Sequence, residues 1–191
     1  MIIDDNVLSD PEKEKIKDLI SSIPLYYSSS STTSKFPYFC HVLAEGRENN
    51  GVVEVFSEHF SFFNEIITRF CQKNNLNYGG TLRCCINATF SDNRYSHQDP
   101  HIDHDEDHHV VILYLNEVDG NTVIFNETWK SGMFPRICNV GDYVFTTQSK
   151  VSPKLGRVLC FDGNHYHSIE PTSPGNVRFI AVFNILLNNK E

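Results

Sequence analysis

Asp99-Pro100-His101-Ile102-Asp103 is the stretch from which the rest of the chain can be read. His101 and Asp103 stand two apart, and on extended backbone positions i and i+2 point to the same face. One imidazole and one carboxylate can therefore converge on a single metal ion, while Ile102 turns the other way into apolar packing. The surrounding segment Ser96–His109 is dense in ligand types, with five of the nine histidines and four aspartates. A rival pair, His97 and Asp99, has the same spacing, but Gln98 stands between them where a strand with one buried face calls for an apolar residue. His104, Asp105, Glu106, Asp107, His108 and His109 are too crowded to ligate together. They read as a solvated loop, with Asp107 or His108 reaching a substrate as the functional alternative.

Working outward, His165 and His167 share one face under strand alternation, and either would add a second imidazole. Two imidazoles and one carboxylate leave open coordination positions and suit non-haem Fe(II) used for oxygen chemistry. Zinc also takes these ligand types. Arg178 follows eleven residues after His167. Arg178, Ile180, Val182 and Asn184 would line one face of a strand, and Phe179, Ala181 and Phe183 the other. Both faces are mostly apolar, so the strand is central and the arginine buried. A buried guanidinium needs a partner, and its planar fork matches a carboxylate through two parallel hydrogen bonds. A strand-end salt bridge at the surface is the structural alternative.

The other elements follow in order. Met1–Val7 is a short strand or extended entry. Ser9-Asp10-Pro11-Glu12 is a helix start, and Ile16, Leu19, Ile20 and Ile23 recur at helical spacing, which predicts a helix over 10–22. The Ser/Thr run 28–34 is a surface loop or a lid. Phe36–Leu43 alternates as a strand, and Glu45–Gly51 is a polar turn. Ser57 caps a second helix to about Gln72, with Phe56, Phe60, Phe63, Ile67, Phe70 and Cys71 as its apolar stripe. Strands follow at Thr81–Phe90, Val110–Asn116, Thr122–Phe125, Tyr143–Thr147, Arg157–Phe161 and Arg178–Leu187, separated by turn signals. Helices followed by a run of strands predict a mainly β jelly roll backed by two N-terminal helices.

At 191 residues one domain is expected over 1–191, with helical support in 1–80 and a β core in 81–188. The net charge of −8, from 16 basic and 24 acidic residues, argues against binding nucleic acid by charge. No apolar run reaches about eighteen residues, so no membrane span is expected. The N-terminus lacks the basic and apolar regions of a signal peptide, which makes the cytoplasm the default location. The six cysteines form no C-x-x-C pair and read as reduced, buried hydrophobes, with Cys84 and Cys85 on opposite faces.

The ordered set His101-Ile102-Asp103, Tyr114-Leu115-Asn116, Asp119–Phe125, Pro153–Arg157, Phe161-Asp162-Gly163, His167 and Arg178 resembles the Fe(II)- and 2-oxoglutarate-dependent dioxygenases, in their prolyl-4-hydroxylase-like branch. The resemblance covers roughly residues 82–187. It favours His101 over His97 and His167 over His165, by the spacings to Tyr114, Gly163 and Arg178 and by Pro100. It implies a double-stranded β-helix, with His101, Asp103 and His167 holding Fe(II) as the catalytic centre. Arg178 would bind the far carboxylate of 2-oxoglutarate, with Tyr95 and Tyr114 as phenol donors to it, Tyr114 reading equally as a core residue, and Arg83 and Asn87 as polar pocket groups. It further implies dioxygen as co-reactant, ascorbate in support, and a peptide or small-molecule substrate hydroxylated at a C–H bond, a prolyl residue being the family-level choice. The rival is a cupin-like metal protein with a non-redox or ligand-binding role, which would need neither Arg178 nor 2-oxoglutarate.

Overall fold

The structure, a computed structural model, describes residues 1–28, 36–46, 53–90 and 95–188, with the backbone alone at 131. In chain order the elements are β1 (Ile2–Asp4), α1 (Asp10–Ser22), β2 (Tyr26–Ser28), β3 (Tyr38–Gly46), β4 (Val53–Val55), α2 (Phe60–Lys73), β5 (Tyr78–Phe90), β6 (His109–Tyr114) and β7 (Thr122–Thr128). A short 3-10 turn (Trp129–Ser131) follows, then β8 (Thr147–Val151), β9 (Val158–Asp162), β10 (His165–Ile169) and β11 (Val177–Leu187). The strands form two antiparallel sheets. The major sheet runs β1-β9-β6-β11-β5-β3-β2, with β4 paired to β3, and the minor sheet runs β10-β7-β8. This is the expected jelly roll.

Both helices form where the sequence places them. In α1 the Glu12 carboxylate accepts from the backbone N–H and the hydroxyl of Ser9, at 2.8 Å each, and Ile16 and Leu19 are buried. In α2 the buried face is Phe63, Ile66, Ile67, Phe70 and Cys71. Its start differs from the expectation. The helix begins at Phe60 behind His59, and the Ser57 hydroxyl serves His41 Nε2 (2.9 Å) as well as the His59 N–H (3.3 Å). Phe56 lies before the helix and is mostly exposed, so it is no part of the stripe.

Three apolar layers result. The first packs both helices on the outer face of the major sheet, through Leu43, Cys84, Ile86, Val111, Leu113, Ala181 and Phe183. The second fills the space between the sheets with Cys85, Val110, Ile112, Tyr114, Ile124, Leu159, Ile180 and Val182. Cys84 and Cys85 thus face opposite layers, and β11 is buried on both faces, as alternation requires. The third gathers Ile102, Val123, Phe125, Cys138 and Tyr166, with Trp129, Phe134 and Phe145 against them.

The strand expected at Tyr143–Thr147 lies four residues later, at β8. Phe145 is spent on the third layer, against Phe125, Phe134 and Tyr166. Val144 points to solvent, and β7 is met instead by residues 147–151. β2 and β4 carry no strand expectation from the sequence, and β10 carries one only in the face shared by His165 and His167. Of the Ser/Thr run 28–34, residues 29–34 lie outside the described residues, as do 47–51 of the polar turn. Among the described residues no helix is long and apolar enough to cross a membrane.

Candidate metal centre and buried arginine pocket

The ligand segment is held as an extra strand between two neighbours. Gln98 N–H donates to Ile169 O (2.9 Å) on one side, while Ile102 N–H to Arg136 O (3.2 Å) and Cys138 N–H to Pro100 O (2.9 Å) tie the other. Asp99 is fully buried, and its Oδ1 accepts from Val140 N–H at 2.7 Å. Ile102 sinks into the third layer, as its place between two polar residues requires. His101 and His167 exchange both backbone hydrogen bonds, each 3.0 Å. A pair of that kind in an antiparallel ladder puts both side chains on one face at short range. Their ring centroids are 4.5 Å apart.

Asp103 closes the cluster. Its Oδ1 lies 3.6 Å from His101 Nε2 and 3.7 Å from His167 Nε2, and the three ligand atoms all lie within 4.8 Å of one another. Asp103 Oδ2 is taken by the Asn184 amide at 2.7 Å, which leaves Oδ1 turned to the imidazoles. The other ring nitrogens meet carbonyls: His101 Nδ1 meets Asp99 O (2.9 Å) and His167 Nδ1 meets His165 O (3.3 Å). A carbonyl only accepts, so each neutral ring carries its proton on Nδ1 and presents a bare Nε2. Burial, aided by the charge of His167, brings the His101 pKa down to about 4. For Asp103 burial acts upward, but His167 and His101 outweigh it and hold the carboxyl well below its usual range. Two imidazoles and one carboxylate, each oriented by a backbone or amide partner, are a donor set that fits a divalent cation.

The rivals sit elsewhere. His97 meets Gln98 O (2.7 Å) and packs on Phe125, and His165 meets Phe125 O (2.9 Å). A bulge between His165 and His167 separates them in the ladder. In the acidic loop Asp105 pairs with Arg136 (3.5 Å) and Asp107 with Lys130, as a solvated loop does, but the loop is shorter than expected: His108 is buried and His109 already opens β6.

A cavity of about 180 Å³ opens between the sheets from this trio. Arg178 lines it and is fully buried. Nη2 donates to Thr122 Oγ1 at 2.6 Å. Nε and Nη1 have no hydrogen-bond partner among the described residues. Burial draws the Arg178 pKa down, against the Tyr114 hydroxyl, which pulls it up. An unpaired buried guanidinium is costly, and here its free fork opens on a cavity.

Two expected phenols are not at that cavity. Tyr114 is buried in the inter-sheet layer, and its hydroxyl meets Thr122 Oγ1 (2.7 Å). Its ring lies 5.4 Å from the Arg178 guanidinium carbon, so it braces the arginine's support. Tyr95 stacks edge-on against Phe36 (5.8 Å) and does not line the cavity either. Arg83 and Asn87 do line it. Tyr38, Thr122 and Asn184 went unassigned by sequence reasoning. Tyr38 sits at an alternating position of a readable strand, and Asn184 follows Arg178 on one face, but only the register shows what they meet.

No family model and no curated protein matches the chain. Solved structures do match in fold. A 2-oxoglutarate–Fe(II) oxygenase-family oxidoreductase from Burkholderia pseudomallei superposes with a TM-score of 0.65 at 15% identity, over 94% of this chain and 80% of that one. A prolyl-4-hydroxylase from Pseudomonas putida gives 0.57 at 15% identity, over 98% and 92%. A prolyl hydroxylase from Trichoplax adhaerens, solved with a peptide fragment of the hypoxia inducible factor oxygen degradation domain, gives 0.55 at 16%, over 96% and 82%. At such identities the likeness establishes the fold, and function has to be argued from the site.

Proposed function

We propose that this protein is an Fe(II)- and 2-oxoglutarate-dependent oxygenase that hydroxylates an unactivated C–H bond with release of succinate and carbon dioxide. One observation carries the reading: a single cavity joins a His-Asp-His trio to a buried guanidinium with two nitrogens that have no partner among the described residues. His101, Asp103 and His167 would hold the iron, and Arg178 would take the far carboxylate of the cosubstrate. When bound, iron and the keto acid together supply dioxygen activation, which no side chain can supply.

The chain's own residues bind, orient and keep water out. Asn184 fixes which Asp103 oxygen faces the trio. Thr122, braced by Tyr114, fixes the Arg178 fork. Val110, Ile112, Ile180 and Val182 give the cavity an apolar wall, inside which a charge-assisted contact is stronger than in water. A peptidyl-prolyl substrate is the finer reading, supported by the prolyl hydroxylases of like fold.

The test is anaerobic addition of Fe(II) and then 2-oxoglutarate, reading the visible charge-transfer band of a chelated keto acid. Wild type should show the band, Asp103→Ala should lose it, and Arg178→Ala should need far more 2-oxoglutarate to reach it. Iron-loaded wild type without a band would favour the cupin-like reading. Aerobic 2-oxoglutarate consumption with ascorbate present, with and without a prolyl peptide, tests the substrate class.

A further inference from the structure

The cavity has a second guanidinium for which the site above has no use. The antiparallel register of β11 and β5 pairs Arg178 with Thr89, Ile180 with Asn87, Val182 with Cys85, and Asn184 with Arg83. Arg83 therefore stands beside the residue that holds Asp103. Arg178 lies six positions away along β11, about 20 Å of strand. The two arginines enter from opposite ends, and the trio lies toward the Arg83 end.

Arg83 is half-buried and lines the cavity. Among the described residues no hydrogen bond or ion pair is made by its side chain. Its cross-strand neighbour Glu45 is exposed and forms no ion pair with it. The third arginine at the cavity, Arg136, is already tied to the carbonyls of Ile102 and Asp103 and to Asp105. Among the described residues the only carboxylate in the lining is Asp103, which belongs to the trio. A chain of net charge −8 has thus gathered three guanidiniums around one acid among the described residues, and the one beside the reaction centre, Arg83, feels the Asp103 charge but makes no ion pair with it.

We propose that Arg83 receives a carboxylate of the substrate, so that the molecule acted on is a small organic acid, a class that would displace the peptidyl-prolyl reading of the same site. This rests on the oxygenase reading above. A planar fork takes a carboxylate through two parallel hydrogen bonds. Asn87, four residues along the same face, has a buried Oδ1 without a partner among the described residues, and so can accept from a polar group of the same ligand. With about 180 Å³ to share with the cosubstrate, the acid group and the attacked C–H bond must lie close together on the ligand.

The test uses a pair of probes matched in size, pentanoate and pentanamide. They are titrated calorimetrically into protein held under nitrogen with Mn(II) and saturating 2-oxoglutarate, which keeps Arg178 occupied. Wild type should bind pentanoate about tenfold or more tightly than pentanamide, the equivalent of one charge-assisted contact. Arg83→Gln should lose that preference, and Arg83→Lys should keep part of it. Equal binding of the two probes by wild type, or a preference that survives Arg83→Gln, overturns the assignment. Mn(II)-dependent uptake of 2-oxoglutarate, read in the same cells, separates the two failures. If wild type takes up the cosubstrate but shows no preference, only the role of Arg83 falls. If wild type takes up none, the oxygenase reading falls and Arg83 with it.

Discussion

Asn184 is placed to act on the metal centre through Asp103 alone. Its amide occupies Oδ2 at 2.7 Å and so decides which oxygen is free. Removing such a support commonly costs 10–100-fold in metal affinity. Asn184→Leu should therefore weaken Mn(II) binding by about that factor, read by EPR titration, with the secondary structure retained. An unchanged dissociation constant would mean that Asp103 is oriented by something else. His101 makes a second prediction. Its pKa in the folded, metal-free protein is about 4, against 6.5 for the free side chain. Between those values the unfolded chain binds a proton that the folded chain refuses, so stability falls as pH drops from 6.5 to 4. Asp103 acts in the same sense at lower pH: its contribution is present above 3.8 and is lost as pH falls through its depressed folded value. Melting temperatures of metal-free protein across this range should decline, and His101→Asn should flatten the upper part. A slope indifferent to that substitution would move the proton elsewhere.

The β9–β10 turn carries a constraint of its own. A Cβ on Gly163 would run into the His108 ring at Nε2. That ring is buried and pinned by Glu106 O at 2.8 Å, and Gly163 N–H in turn donates to His108 O at 2.9 Å. Gly163→Ala should cost about 1–3 kcal/mol, as overpacking does. In His108→Ala the same change should cost much less, a non-additivity that denaturant titrations of the four proteins would measure. Additive costs would place the strain in the turn rather than in the ring. Legibility in the sequence divides along the same line of local against distant. The His101/Asp103 pair and the two apolar faces around Arg178 follow from alternation, which is local. β10 was read only for its histidines, because His165-Tyr166-His167-Ser168-Ile169 lacks the apolar alternation that marks a strand, and its pairing with β7 is what gives it shape. Tyr114, open in the sequence as donor or core, is decided for a similar reason. Its hydroxyl crosses from the major sheet to Thr122 at the start of β7, a meeting that topology alone arranges. The displaced β8 shows the reverse, an alternating segment whose Phe145 went to packing instead of pairing.

Across the molecule, the first eight residues act as a strap. β1 covers the outer edge of β9. Asp5 meets Arg157 through both oxygens, at 2.7 and 2.9 Å, and Arg157, ahead of Lys154, holds the Asp5 carboxyl well below its usual range. Asp4 pairs with Lys73 (2.8 Å), and Arg69 reaches Val7 O (3.2 Å), which ties the strap to α2. Asp5→Ala alone should cost no more than about 1 kcal/mol, since the pair is partly solvated. Deleting residues 1–8 should cost several times more, because Val7 and Leu8 leave the core at about 1.5–3 kcal/mol each and the β9 edge is bared for pairing with another chain. A lower melting temperature with concentration-dependent association in size-exclusion chromatography is the expected result, and a monomer of unchanged stability would show the strap to be passive. The reduced cysteines give this architecture a set of internal clocks. Cys71, Cys84 and Cys160 lie in the helix-backed layer, Cys85 lies between the sheets, and Cys138 lies in the third layer with its N–H on Pro100 O. Burial pushes the Cys71 and Cys138 thiols up to about 11 and that of Cys160 to about 12. None of them reacts readily until its layer opens. Alkylation followed site by site would therefore time the breathing of each layer separately, with Cys138 keeping time for the segment that carries His101 and Asp103.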